Sequence, residues 1–126
     1  MIHLAVIGSR TWTDENLIRA HLDGMRQAYS DSEVGIVSGG ADGADKIGAR
    51  LAREMGLEVT IMLPNYRQFG RSAPLQRNKK IVDKADMVLA FWNGASRGTA
   101  HALGYAKERK KRTLVVYPDG KHEVRG

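Results

Sequence analysis

Cysteine is absent from this 126-residue chain. Disulfides, thiolate–zinc sites, iron–sulfur clusters and thiol catalysis are excluded together, and the composition suits a reducing compartment. Long apolar runs are missing too. Uninterrupted hydrophobic stretches last only a few residues, far short of the roughly 20 that a membrane span needs. The start, Met1-Ile2-His3-Leu4, has no basic segment ahead of a long apolar one, so no secretory leader is expected and a cytoplasmic location is. Aromatic residues make up 6% of the chain, which leaves few platforms for stacking successive bases. Acidic residues are outnumbered, 14 against 20 Lys and Arg, for a net charge of +6. That balance favours anionic partners such as nucleotides or nucleic acid. The length fits one domain, and surface scaling gives such a chain burial of roughly two-thirds of its extended surface.

What is present alternates between strand and helix patterns. Ile2–Ile7 is a compact apolar strand that stops at Gly8-Ser9-Arg10. Thr13 is placed to cap the helix that follows, with Asp14 and Glu15 in its positive first turn and Leu17, Ile18, Leu22 and Met25 at helical spacing. Val34–Val37 reads as a second strand ending in Ser38-Gly39-Gly40, and Ala44, Ile47, Leu51 and Met55 form the stripe of a helix that Gly56 stops. Leu57–Leu63 is a third strand, closed by Pro64. A polar, basic connection leads to a helix opened by Pro74. Met87–Trp92, a two-glycine loop over 93–98, a helix from Thr99 to about Lys111 and a strand over Thr113–Tyr117 complete the pattern. Residues 1–117 read as a single domain and 118–126 as a short, polar, poorly anchored tail.

Five strands separated by four helices predict an α/β fold with a parallel sheet covered on both faces. With strand order 3-2-1-4-5, the first and fourth strands are central neighbours and a crevice opens at their C-terminal ends. The loops 8–12, 38–45 and 93–99 would meet there. A glycine loop entering a helix presents free N–H groups and a positive dipole end to an anion. Ser96, Gly98 and Thr99 can form one such cradle, and Ser38, Gly39 and Gly40 a second; alone, each reads first as a tight turn that needs glycine, and the meeting of three such loops favours the cradle.

Named motifs fail in detail. No G-x-G-x-x-G follows the first strand, and the P-loop-like stretch Gly40–Lys46 has the wrong spacing, with Ile47 at the Ser/Thr position. Gly94-Ala95-Ser96-Arg97-Gly98 matches a nucleophile elbow, with Asp119 and His122 following in hydrolase order. The short chain and the tail position of both partners count against acyl transfer. No His, Asp or Glu group has metal-ligand spacing.

Taken together, Gly8-Ser9-Arg10 with Trp12 and Asp14, the run Val37 to Asp45, Arg77-Asn78, Ala85-Asp86, Ala90 to Gly94 and Ser96-Arg97-Gly98-Thr99 resemble the SLOG superfamily, and within it the small YspA-like branch. The resemblance spans about residues 2–117. It implies a Rossmann-like three-layer α/β/α fold, a five-stranded parallel sheet, a nucleotide or nucleotide-derived ligand at the glycine loops, and no cofactor. Its relatives include the LONELY GUY phosphoribohydrolases, which cleave cytokinin nucleotides, and DprA, which binds single-stranded DNA. A homodimer through the third or fourth helix is a further expectation.

Carried over residue by residue, Arg77 resembles the arginine that contacts ligand in the phosphoribohydrolases. Gly98-Thr99 resembles the Gly-Thr of their P-G-G-x-G-T-x-x-E motif. This chain departs from that motif over Asn93–Arg97, and Ala102 stands at the glutamate position. N-glycosidic cleavage passes through an oxocarbenium-like state that acidic groups support. The loss of that carboxylate therefore favours binding over turnover, with Asp42, Asp45 and Arg77 as the candidates if catalysis survives.

The expected ligand site is thus Gly8, Ser9 and Arg10 on one side, Ser38, Gly39 and Gly40 on the second, and Gly94, Ser96, Gly98 and Thr99 as the phosphate cradle. Arg77 pairs with ligand charge, and Asn78 bonds either a ribose hydroxyl or local backbone. Arg10 either clamps a phosphate or pairs with Asp14. Trp12 and Trp92 are expected to pack rather than stack on a base. His101 is expected at the surface, and His3 and His21 in structural roles. Lys107, Arg109, Lys110, Lys111 and Arg112 complement a helix C-terminus or, alternatively, track a nucleic-acid backbone.

Overall fold

A computed structural model describes residues 1–126. The elements run β1 (Ile2–Gly8), α1 (Glu15–Ala28), β2 (Val34–Ser38), α2 (Ala44–Glu54), β3 (Glu58–Ile61), α3 (Tyr66–Phe69), a 3₁₀ turn (Gly70–Ser72), α4 (Ala73–Lys84), β4 (Met87–Phe91), α5 (Arg97–Glu108), β5 (Arg112–Val116) and β6 (His122–Arg125). The sheet order is β3-β2-β1-β4-β5-β6, a Rossmann-like arrangement. Strands β1 to β5 pair in parallel, and β6 runs antiparallel to β5. No helix is long and apolar enough to cross a membrane.

Strand alternation sorts the core into two layers. Leu4 and Val6 of β1 join Ile36, Leu89 and Phe91 beneath α1 and α2. Ala5 and Ile7 turn the other way, to Val37, Ile81, Val82, Val88 and Val115 beneath α4 and α5. Both faces of the central strands are therefore apolar, which accounts for their near-continuous hydrophobic sequence.

Two sequence expectations are corrected here. The 118–126 segment is not a loose tail: His122–Arg125 forms β6, antiparallel to β5. Pro118-Asp119-Gly120 turns the chain, with the Lys121 N–H donating to Asp119 Oδ1 at 2.9 Å and the Tyr117 N–H to the Lys121 carbonyl at 2.8 Å. A Pro-Asp-Gly sequence is a turn signal with a mechanism, so the turn, though not the strand after it, is readable from the sequence. The first helix is capped by Asp14 instead of Thr13, its carboxylate accepting from the Leu17 N–H at 3.1 Å.

Lys110 ends α5 with φ of 57°, the one non-glycine residue in the left-handed region. Its N–H donates to the Lys107 carbonyl and that of Lys111 to Ala106, which satisfies free carbonyls as a left-handed helix stop does. Glycine is the unstrained residue there. Lys110→Gly is expected to raise the unfolding free energy by about 1 kcal/mol in a urea titration; a loss of stability would contradict the strain.

Candidate functional site

The C-terminal ends of β1 and β4 meet at the sheet centre, where their connections diverge to opposite faces. Ser9 stitches this point together. Its N–H donates to the Phe91 carbonyl at 2.9 Å, its Oγ accepts from the Asn93 N–H at 3.0 Å, and its carbonyl accepts from the Ala44 N–H at 3.2 Å. The loops after β1, β2 and β4 are thereby held to one another through buried hydrogen bonds.

Beside this knot lies a cavity of about 170 Å³, lined by Gly8, Arg10, Ala41, Asp45, Arg77, Asn78, Ser96, Gly98 and Thr99 together with Ile7, Pro74, Leu75 and Ala102. Arg77 reaches it from α4 and is only 7% exposed. Three contacts hold the guanidinium. Nε donates to Asn78 Oδ1 at 2.9 Å, and Nη1 to the Gly39 carbonyl at 2.8 Å and the Met62 carbonyl at 3.5 Å. Gly39 has to be glycine for this, since a Cβ would stand 2.7 Å from the guanidinium carbon. The second amino group, Nη2, makes no hydrogen bond, yet it is not sealed off: the one fully buried side-chain atom without a partner is His101 Nδ1. A buried cation that lines the cavity, held through Nε and Nη1, therefore keeps one amino group free of any protein partner.

The opposite wall is the start of α5. Asn93 Oδ1 accepts from the N–H groups of Ala95 and Ser96 at 2.8 and 2.9 Å, and Trp92 Nε1 donates to the Ser96 carbonyl at 3.0 Å. These bonds fix the approach to the helix. No side chain caps its N-terminus, so first-turn N–H groups stay free for an anion. The Ser96 and Thr99 hydroxyls lie 3.3 Å apart, within hydrogen-bond reach of each other, so one of the two O–H groups is left to donate elsewhere.

Asp45, in the first turn of α2, forms the third wall and is 5% exposed. Burial pushes its carboxyl up to about 6, against the opposing pull of the Arg77 guanidinium and backbone N–H groups of Gly8, Ala41 and Gly39. Burial also lowers the Arg77 pKa, opposed by Asp45; an arginine stays cationic regardless. Near pH 6 the cavity thus contains a permanent cation and a carboxyl close to its midpoint.

Of the expected residues, Gly8, Arg10, Arg77, Asn78, Ser96, Gly98, Thr99 and Asp45 come together. The others do structural work nearby. Ser9 is spent on the knot. Ser38, Gly39 and Gly40 are not a second phosphate cradle: Ser38 Oγ accepts from the Gly40 N–H and donates to the Asp45 carbonyl, both at 3.2 Å, while the Gly39 carbonyl holds Arg77. Gly94 is exposed, with φ of 83°. Asp42 stands outside the cavity, paired with Lys46 at 3.0 Å, and that partner lowers its pKa. Arg10 makes no ion pair with Asp14, which instead caps α1. The elbow reading fails on geometry, because Asp119 turns the hairpin and the His122 ring sits 6.3 Å from His21, away from Ser96. Trp12 is core, edge-to-face on Phe91 at 5.4 Å. His101 is half-buried with Nδ1 sealed, not a surface histidine. Ala41, Pro74 and Leu75 line the cavity without any chemical signal in the sequence.

A wider hollow of about 580 Å³ opens at the other edge of the sheet between Met1, Arg26, Gly56 and Glu58. Strand N-termini surround it, and no helix N-terminus points into it.

Among solved structures, the DNA processing protein A of Streptococcus pneumoniae superimposes with a TM-score of 0.76 at 17% identity, over 92% of this chain and 50% of that one. The Helicobacter pylori protein of the same name, solved for its single-stranded DNA binding mode, gives 0.70 at 19%, over 91% and 65%. A structural-genomics target, TM1055, gives 0.65 at 19%, over 90% and 72%. These likenesses establish the fold, and the chain spans half to two-thirds of the length of the two DNA processing proteins. A comparison with curated proteins gives no match. The model of the YspA, cpYpsA-related SLOG family matches residues 2–69, more than half of the sequence, and the chain belongs to that family.

Proposed function

We propose that the chain binds a nucleotide or nucleotide-derived small molecule by its phosphate, at the cavity between Arg77 and the start of α5, and holds it as a sensor or sequestering domain. The observation that carries this reading is the unpartnered Nη2 of a buried arginine that lines one cavity with an uncapped helix N-terminus. That donor is left for an anionic group to accept. The cavity's 170 Å³ lies below the roughly 300–1,000 Å³ of sites that enclose whole drug-sized ligands. It fits the charged end of a ligand whose base projects toward solvent. Thermal melts with a panel of nucleoside mono-, di- and triphosphates test this. Selective stabilisation is expected, lost in Arg77→Met; a flat response from the intact protein would reject the reading.

A second reading is hydrolysis of a nucleotide N-glycosidic bond, favoured by Asp45. Its carboxyl, held near 6, suits a proton donor or acceptor at neutral pH. Free base released from a nucleoside monophosphate, and abolished in Asp45→Asn, would replace binding with turnover. The single-strand reading has less free charge behind it. Arg109 is paired with Asp83 at 3.1 Å, and Lys111 Nζ donates to the Ala85 carbonyl at 2.7 Å.

A further inference from the structure

A groove of about 690 Å³ runs between α5 and the β5–β6 edge, on the far side of α5 from the Arg77 cavity. Its volume is that of a site able to enclose a complete organic ligand. Trp92 and Leu103 supply apolar surface, and Ala100 and Gly104, one helical turn apart, leave the space open. A Cβ on Gly104 would meet nothing within 4 Å, so no packing within the chain demands glycine there. Glycine in a helix interior costs about 1 kcal/mol relative to alanine.

The charged side chains around the groove are of one sign. Lys107, Lys110, Lys111 and Arg125 line it, and no Asp or Glu does. Two of these cations are held in place: Lys111 by the Asp83 and Ala85 carbonyls, and Arg125 by Glu123 and the Trp92 ring, 5.8 Å from its centroid. Lys107 and Lys110 have no anionic partner. Lys110 is also the strained residue at the helix end, where glycine would relieve the backbone. A strained position that keeps its charge is a reason to look for function there.

We propose that this groove is a second ligand site, taking an organic anion with a flat apolar body whose charged group pairs with Lys107 and Lys110. Bare phosphate is too small to use the apolar wall, and a neutral aromatic would leave the cations unmatched. The site is independent of the Arg77 cavity, so either can fail alone.

The probe is 8-anilinonaphthalene-1-sulfonate, an aromatic body carrying one anionic group. Expected results are saturable binding near one dye per chain, with quenching of the Trp92 contribution to tryptophan emission. Gly104→Leu should weaken binding at least tenfold by filling the groove, and it keeps a residue favourable to the helix. The pair Lys107→Gln and Lys110→Gln should weaken it at least fivefold with the fold checked by circular dichroism. Arg77→Met should leave it unchanged. Dye binding that ignores both Gly104→Leu and the lysine pair would overturn the proposal. So would displacement of the dye by oligothymidylate with a steep salt dependence, since that result assigns the groove to a nucleic-acid strand.

Discussion

Gly43→Ala is expected to lower the unfolding free energy by roughly 3 kcal/mol or more, from backbone strain of about 1–3 kcal/mol and overpacking of similar size. Gly43 precedes α2 with φ of 79° and ψ of −132°, a conformation open to glycine and closed to residues with a side chain. A Cβ there would stand 2.3 Å from the Ser9 carbonyl oxygen and 2.4 Å from that of Arg10. Backbone on both sides leaves nothing flexible to give way. The same Ser9 carbonyl accepts from Ala44 and Trp12, so relieving the clash pulls apart the loops that frame the cavity. Chemical denaturation measures the loss, and a change within about 0.5 kcal/mol, typical of an inert surface substitution, would show that the loops separate freely.

Asp45→Asn should act in the opposite direction. The folded state holds the Asp45 carboxyl near 6, above its ordinary 3.8. A raised carboxyl stabilises the folded state fully below the unfolded pKa and loses that contribution as pH climbs from about 4 through 6. Two units correspond to about 3 kcal/mol, an upper figure because asparagine forfeits the backbone hydrogen bonds that the carboxylate accepts. The variant should therefore be more stable than the natural chain by about 2 kcal/mol at pH 7.5, with the difference vanishing near pH 4. Anion affinity at pH 7.5 should rise too, because the neutral amide no longer repels the ligand. Paired urea titrations across that range check the sign; a destabilised variant at pH 7.5 would mean that Asp45 is held as a stabilised carboxylate.

The architecture was legible because its signals are local and repeated. Short apolar strands and amphipathic helices alternate strictly, and right-handed crossovers leave few ways to assemble them. Arg77, Gly98 and Thr99 were legible because a loop chemistry and a family resemblance coincide on them. Long-range hydrogen bonding was not. Nothing local distinguishes Ser38-Gly39-Gly40 as a scaffold for Arg77 from the same residues as a phosphate cradle; only the 38-residue reach from Arg77 to the Gly39 carbonyl decides it. Asp42 and Asp45 look alike in sequence, yet Asp45 is buried in the first turn of α2 while Asp42, in the turn before the helix, is left in solvent with Lys46. Strand β6 was missed for a different reason. Its residues are all exposed, so it lacks the apolar alternation by which strands are read, and its charges suit an edge that must resist further pairing.

We propose that an anion binds between Arg77 and the start of α5. Titration of ¹⁵N-labelled protein with adenosine monophosphate tests it most directly. The largest shifts are predicted at the backbone amides of Gly8, Gly98 and Thr99 and at Arg77 Nε, saturating together and absent in Arg77→Met. Shifts confined to other surfaces, or none at millimolar nucleotide, would contradict the account.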